Sequence, residues 1–337
     1  MSGRALLEQL LRRVWQRRGG LALALLPLSL LFGAVVALRR WAYQRGWRPI
    51  RSLPVPVVVV GNVIAGGAGK TPLVVWLVQH AREQGWRPGV VSRGHGRSAG
   101  ECRAVTSDSD PSEVGDEPLL IHRSTGVPVS VGRDRQAAGQ ALLTRHPEVD
   151  VVICDDGLQH LALARDLEIC VFDARGIGNG RLLPAGPLRE PWPRVMDLAV
   201  QWGTRAGDPA AIAGAHRFER RLAGFARDAL GRQVALETLA GQPLVAVTGI
   251  AQPERFFDDL RARGLTLAET QAWPDHHDFH DWPAPAGPVV CTEKDAVKLW
   301  RRHPAVLAVP LELVPGTDFV AAIDAQLARL RRPERSL

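Results

Sequence analysis

The sequence predicts an α/β protein: a doubly wound parallel sheet domain, a smaller C-terminal α/β domain, and an N-terminal membrane-anchoring helix. Three observations predict it. Valine-rich apolar runs at 55–61 and 149–156 alternate with helical stretches as far as about residue 203, the pattern of buried parallel strands and crossover helices. A second alternation of short apolar runs and helical stretches follows residue 242. Positive charge gathers in the first fifty residues, around an uncharged apolar run. A length of 337 residues fits about two domains of ordinary size.

The N-terminal segment comes first. Residues 1–52 carry ten arginines against one acid, Glu8, for a local charge of +9. The whole chain stands at +7, so the remaining 285 residues stand at −2. A nucleic-acid-binding body would itself be basic, and this one is not. Leu6, Leu7, Leu10, Leu11, Val14 and Trp15 recur at helical spacing among arginines, as in a basic amphipathic helix. Leu21 to Leu38 is an uncharged run of 18 residues broken by Pro27, Ser29 and Gly33. At helical rise it reaches about 27 Å, marginal for a straight membrane span.

Arg12, Arg13, Arg17 and Arg18 precede this run, and Arg39, Arg40, Arg45 and Arg48 follow it. The positive-inside bias holds both flanks on one side. The favoured reading is a segment that enters one leaflet, bends near Pro27 and is anchored by arginines on anionic lipid. Trp41, Tyr43 and Trp47 suit the interface. A full span and a buried core helix rank lower, and a cleaved signal peptide ranks last because it would carry the phosphate-binding loop described next away from ATP.

Directly after the strand at 55–61 comes Ile64-Ala65-Gly66-Gly67-Ala68-Gly69-Lys70-Thr71, and then a helical stretch from Pro72 to about Gln84. Strand, glycine-rich loop ending in Gly-Lys-Thr, and helix form the context of a P-loop that binds ATP. The glycines turn backbone N–H groups onto phosphate, Lys70 reaches the β/γ oxygens, and Thr71 holds Mg²⁺. The usual first glycine is replaced by Ile64, so the loop resembles that of partition-type ATPases, whose signature lysine is here Ala65. Only three of the chain's 42 basic residues are lysines: Lys70, Lys294 and Lys298. In a chain that uses arginine for charge, a lysine marks a place where a planar head does not serve.

The run 149–156 ends in Asp155-Asp156, of which one can complete an Mg²⁺ shell, as at the end of a second P-loop strand. Gly115-Asp116-Glu117-Pro118 opens another helical stretch. A carboxylate here can take a proton from an acceptor hydroxyl, or it can simply stabilise a helix N-terminus. Asp275-His276-His277-Asp278-Phe279-His280-Asp281 is the densest histidine cluster. It fits a metal site through His277 and His280, a solvated loop, or a histidine tuning a carboxylate across a cleft. Cys102, Cys154, Cys170 and Cys291 lie far apart, unlike a disulfide framework or a zinc ribbon, and suit a reducing cytoplasm.

Several segments together resemble the tetraacyldisaccharide 4'-kinases, the lipid A 4'-kinases of Gram-negative bacteria. They are residues 57–72 (VVVVGNVIAGGAGKTP), 90–96 (VVSRGHG), 115–118 (GDEP), 155–160 (DDGLQH), 178–191 (GNGRLLPAGPLREP), 275–279 (DHHDF) and 292–299 (TEKDAVKL). The resemblance implies phosphorylation by ATP of the 4'-hydroxyl of a membrane-embedded tetraacyldisaccharide 1-phosphate, at the cytoplasmic face of the inner membrane. It further implies that Asp116 is the catalytic base with His276 as its partner from the second domain. Lys70 and Thr71 would bind phosphates and Mg²⁺, Asp155 or Asp156 would be the second-strand acid, and Arg93, Glu117, Asn179 and Arg189 would serve the substrate. His95 stands where the family usually has Tyr, and no role is carried onto it.

The expected organisation is therefore an anchor at 1–50, a P-loop core at 51–213, an Arg/Gly/Ala-rich linker at 214–241 and a smaller α/β domain at 242–330. In the smaller domain, strands are expected at 243–249 and 287–291, and helices at 252–263, near 294–302 and at 317–331. The alternative from another functional class is a membrane-associated partition-type ATPase, which would hydrolyse ATP without an acceptor.

Overall fold

The structure, a computed structural model, describes residues 14–15, 18–94, 101–204, 208–250, 252–275 and 277–331. The strands of the large sheet up to the first crossing are β1 (Val57–Gly61), β2 (Pro88–Ser92), β3 (Arg103–Val105), β4 (Val129–Val131), β5 (Val151–Asp155), β6 (Leu167–Phe172), β7 (Leu198–Trp202) and β8 (His216–Leu222). The chain then enters a second sheet of β9 (Phe225–Arg227), β10 (Gln233–Ala235), β11 (Leu244–Thr248), β12 (Leu267–Ala272), β13 (Val289–Thr292) and β14 (Leu307–Val309), and returns to the first with β15 (Leu311–Pro315). The nine-stranded sheet has the order β15-β8-β7-β6-β1-β5-β2-β4-β3, and the six-stranded sheet β10-β9-β14-β13-β11-β12.

Why β1 is central follows from its composition. Val57 to Val60 are β-branched and fully buried, with parallel partners on both sides: Val58 sits beside Ile153 of β5 and beside Leu167 of β6. A strand without a polar face needs cover on both faces, which crossover helices provide. One of these is the helix Lys70–Glu83, whose buried Leu73, Val74, Leu77 and Val78 lie at helical spacing.

The division into domains differs from the expectation. The segment 214–241 is no linker: β8 completes the large sheet, while β9 and β10 belong to the small one. The C-terminal stretch also changes allegiance. β15 pairs antiparallel with β8, from Leu311 beside Leu222 to Pro315 beside Phe218. The helix Thr317–Arg331 then buries Phe319, Ile323 and Leu327 in the core of the large sheet. The chain thus crosses between sheets twice, at 223–224 and at Pro310, and the Ala223 N–H bonds the Pro310 carbonyl at 2.9 Å. The other expected elements of the second unit appear as β11, the helix Pro253–Ala262, β13 and the helix Glu293–Leu299.

The expected amphipathic helix over residues 4–15 falls almost wholly outside the described residues. The apolar run does form helix, in two pieces, Gly20–Ala24 and Leu26–Gln44, with Leu25 between them and Pro27 in the first turn of the second. That is where a bend is expected. Among the described residues, Leu26–Gln44 is the one helix long and apolar enough to cross a membrane by length and composition. It touches the body through its small residues. Ser29 Oγ donates to the Leu182 carbonyl at 2.8 Å, and a Cβ on Gly33 would come within 2.8 Å of the Leu182 side chain. Leu28, Leu30, Leu31, Val35 and Leu38 are left exposed.

Phe319 is fully buried, with ring centroids 4.7 Å from Phe218 and 5.5 Å from Trp76. Phe319→Ala is expected to destabilise the nucleotide-binding sheet by about 3–5 kcal/mol. Chemical denaturation followed by far-UV circular dichroism measures this; a loss below about 1 kcal/mol would mean that the C-terminal helix is only loosely attached.

Candidate active site

The carboxyl ends of β1, β5 and β2 lie side by side, because β1 pairs with β5 and β5 with β2. In open α/β sheets this edge is where ligands bind. β1 delivers the glycine-rich loop, β5 delivers Asp155 and Asp156, and β2 delivers Ser92 and the exposed Arg93.

Ile64 and Ala68 of the loop are buried, while Gly66 and Gly67 are exposed. Gly69 caps the helix Lys70–Glu83 in the left-handed region at φ 71°, and a Cβ there would meet the Trp202 ring at 3.1 Å. Both requirements select glycine. The Trp202 indole N–H bonds the Ala68 carbonyl at 2.8 Å, and Arg175, paired with Asp173, donates to the Gly67 carbonyl at 3.0 Å. The other side of the loop is held by residues 187–189: the Ala65 N–H donates to the Pro187 carbonyl and the Arg189 N–H to the Val63 carbonyl, each at 2.7 Å.

The paired acids divide their roles. Asp156 Oδ1 lies 3.3 Å from Lys70 Nζ and 3.6 Å from Arg189 Nη1. Burial opposes its charge, but Lys70 and Arg189 outweigh burial and hold the carboxyl below its ordinary range. Its backbone sits at φ 50°, a sparsely populated region for a side-chain-bearing residue and one common at functional sites. Asp155 is fully buried; its Oδ2 accepts from Ser92 Oγ at 3.1 Å, and its Oδ1 has no protein hydrogen-bond partner. Burial first, then the charge of half-buried Glu117, push it up to about 7 against the pull of Lys70. A buried carboxylate oxygen left over next to Asp156, at the strand end beside the glycine-rich loop's strand, fits a divalent cation, which with bound phosphate would complete the shell. Among the described residues no group of three or more His, Cys, Asp or Glu could hold a metal ion.

Asp116 begins the helix Asp116–Thr125 and is buried, with Oδ2 2.6 Å from Lys298 Nζ. Lys298 comes from the second sheet's helix Glu293–Leu299, and it also donates to the His277 carbonyl at 2.8 Å. The 275–281 segment is thereby brought to Asp116. His276 itself lies outside the described residues, as does His95. His277 Nδ1 accepts from the Phe279 N–H at 3.0 Å, and His280 contacts Asp281 and Arg302, so these two rings shape a loop.

Asn179 differs from the expectation of a substrate contact. Its amide is buried and donates to the Val14 and Ala185 carbonyls at 3.1 and 2.8 Å, while its Oδ1 accepts from the Arg181 N–H at 3.1 Å. It braces the 178–191 loop and ties it to the N-terminal segment. Arg175, Trp202, Ser92 and Lys298 were absent from the expected set. Ser92 and Trp202 end strands and Arg175 follows one closely, so strand carboxyl ends beside the P-loop would have flagged them. For Lys298 the signals are the rarity of lysine and its place in the segment 292–299.

A family model described as tetraacyldisaccharide-1-P 4'-kinase matches residues 21–328. The chain belongs to the tetraacyldisaccharide-1-P 4'-kinase family. It is 55% identical over 329 residues to the tetraacyldisaccharide 4'-kinase of Acidovorax sp. (strain JS42), covering 96% of both chains. Over 327 residues it is 52% identical to that of Delftia acidovorans, again covering 96% of both. A crystal structure of LpxK from Aquifex aeolicus in complex with ATP superposes with a TM-score of 0.81 at 29% identity, covering 93% of this chain and 100% of that one. The fold expectation of a P-loop sheet with a smaller α/β unit and an apolar N-terminal helix agrees with that neighbour. The partition-type ATPase alternative is not favoured by any of these relatives.

The raised Asp155 has a consequence for stability. Between pH 4 and pH 7 the folded, nucleotide-free protein keeps a proton there that the unfolded chain has lost, so this group costs stability as pH rises. Asp155→Asn is therefore expected to raise the thermal midpoint at pH 8 in a chelator-containing, nucleotide-free buffer, and to give no gain at pH 4. Differential scanning fluorimetry at both pH values checks it; an equal shift at both would remove titration as the cause.

Proposed function

We propose that this chain transfers the γ-phosphoryl group of ATP to the 4'-hydroxyl of tetraacyldisaccharide 1-phosphate, giving lipid IVA for lipid A biosynthesis. The observation that carries the reading is a second, buried carboxylate centre at Asp116, on a helix packed against the helix that follows the Gly66–Thr71 loop, within this family's fold. A simple ATPase has no need of the second centre.

Phosphoryl transfer depends on positioning and on charge neutralisation more than on covalent chemistry. The backbone N–H groups of the loop and the first turn of Lys70–Glu83 receive the ATP phosphates, and Lys70 neutralises the β/γ oxygens. Mg²⁺, held by Thr71 and by Asp155 or Asp156, would supply further charge neutralisation there. Lys70 rests on Asp156 at 3.3 Å, so its ammonium is already held beside the loop. Asp116 accepts the proton of the sugar hydroxyl as that oxygen bonds the γ-phosphorus and ADP departs; His276 supports it from the 275–281 segment. Arg93, Glu117 and Arg189 line the route of the acceptor and its phosphate, and Asn179 acts by holding the loop that carries Arg189.

The acceptor carries four acyl chains, and extracting each buried CH₂ from the bilayer costs about 0.8 kcal/mol. The enzyme must meet it at the surface. The exposed Leu28, Leu30, Leu31, Val35 and Leu38, followed by Arg39, Arg40, Arg45 and Arg48, suit insertion beside anionic lipid on the cytoplasmic side of the inner membrane.

Incubation with γ-labelled ATP and tetraacyldisaccharide 1-phosphate should place label in the lipid. Asp116→Asn should cut that transfer about 10²–10⁴-fold with ATP affinity kept. Label confined to ATP and free phosphate would overturn the kinase reading, and a fully active Asp116→Asn would remove the base. In flotation assays, a Leu30→Glu/Leu31→Glu double variant should lose most of its association with anionic vesicles; retained flotation would move the anchor elsewhere.

A further inference from the structure

The segment TEKDAVKL (292–299) carries residues whose arrangement goes beyond capping a helix. Thr292 caps Glu293–Leu299, and Asp295, fully buried, accepts from Thr248 Oγ1 at 2.8 Å, the Gly249 N–H at 3.0 Å and Thr292 Oγ1 at 2.6 Å. These bonds fix the helix on the end of β11. Glu293 pairs with Arg227, which also donates to Ser124 Oγ at 3.0 Å on the helix that Asp116 begins. Arg301, just beyond the helix, pairs with Asp110 at 2.8 Å. The helix is therefore tied both to its own sheet and across to the large one.

Lys294 and Lys298 stand four residues apart, on one face of this helix. Lys294 Nζ lies 2.8 Å from Asp275, and Lys298 Nζ donates to the His277 carbonyl and meets Asp116 Oδ2 at 2.6 Å. Both side chains of the Lys298–Asp116 pair are more than nine-tenths buried. A buried pair of this kind gains from Coulomb attraction only if geometry and further hydrogen bonds offset the desolvation of both ions. It is therefore weak as a stabilising device, and its place at the acceptor-side carboxylate needs another explanation.

We propose that Lys298 is a positioning residue for phosphoryl transfer: its ammonium holds the Asp116 carboxylate ionised and oriented toward the acceptor hydroxyl, and makes that orientation depend on the second sheet being docked. The hydroxyl proton passes to Asp116, the sugar oxygen bonds phosphorus, and the bond from phosphorus to the ADP oxygen breaks. This inference rests on Asp116 acting as the base.

The test uses the full-length enzyme in mixed micelles with the tetraacyldisaccharide 1-phosphate. Lys298→Met, close in shape but uncharged, should lower kcat about 10–100-fold while the Kd for ATP stays within about twofold, since the effect falls on one positioned group. Lys298→Arg keeps the charge and should recover part of kcat. Adding Lys298→Met to Asp116→Asn should cost nothing further, because the two residues act as a unit. A Lys298→Met enzyme with kcat within twofold of wild type would overturn the proposal. Equal losses of kcat, ATP binding and thermal midpoint in the Met and Arg variants, or multiplying losses in the double variant, would overturn it too. If Asp116→Asn alone remained fully active, the base reading itself would fail, whatever Lys298 showed.

Discussion

The backbone exchange between residues 63–65 and 187–189 is the constraint on which the site depends. A glycine-rich loop is entropically costly to hold open in one conformation. Here the Ala65 N–H and the Val63 carbonyl are taken up by Pro187 and Arg189, and an isolated bridge pairs Ile64 with Leu188. The loop is therefore edged like a strand on one side, while Trp202 and Arg175 hold its carbonyls on the other. The N–H groups that remain at its turn are left for phosphate. Residues 178–191 are in turn gripped by the N-terminal segment: Trp15 Nε1 donates to the Pro184 carbonyl, Arg18 to the Asn179 carbonyl and Ser29 to the Leu182 carbonyl. A continuous set of hydrogen bonds thus joins the apolar helix to the phosphate loop through a single connector. The connector carries Arg189 to Asp156 on the way.

Electrostatics explains why the two acids at the end of β5 behave oppositely although they are neighbours. Adjacent residues at a strand end point to different sides. Asp156 turns toward Lys70 and Arg189 and is held charged. Asp155 turns into the protein, meets Ser92 and the field of Glu117, and resists ionisation. Two neighbouring carboxylates with separated proton affinities can divide the work: one keeps the lysine in place, and the other would gain its charge from a bound cation.

The parts of the fold that were legible in the sequence are those built from local regularities. The valines of β1 and β5, the Gly-Lys-Thr turn and the alternation after residue 242 fall within a few residues of the observed elements, because buried parallel strands and amphipathic helices leave a periodic trace. What was not legible is non-local. Nothing in LELVP marks β15 as an antiparallel partner of β8 rather than a member of the sheet that precedes it. The arginine-rich 214–241 resembles a linker in composition, yet β8 alternates buried Phe218 and Leu222 with charged residues on its open face, as an antiparallel pair allows. The family resemblance puts Asn179 with the substrate, whereas its amide bonds carbonyls 6 and 165 positions away.

The three lysines close the argument about charge. An arginine needs room for a planar fork, and at the solvent-facing rim this chain meets carboxylates with one, as at Arg221, Arg232 and Arg301. Two of the three lysines instead end a compact ammonium in a largely buried place, and the third, Lys294, meets an exposed carboxylate. Lys70 lies between the glycine loop and Asp156, Lys294 against Asp275, and Lys298 between a carboxylate and a carbonyl in a gap closed by two helices. A guanidinium at Lys298 would keep the charge beside Asp116 but fill the gap between the helices Asp116–Thr125 and Glu293–Leu299 less closely, with some of its five donors unpaired. It would therefore serve the carboxylate only in part. Packing around the Asp116 carboxylate thus favours lysine at 298, as the narrow space beside the glycine-rich loop does at 70.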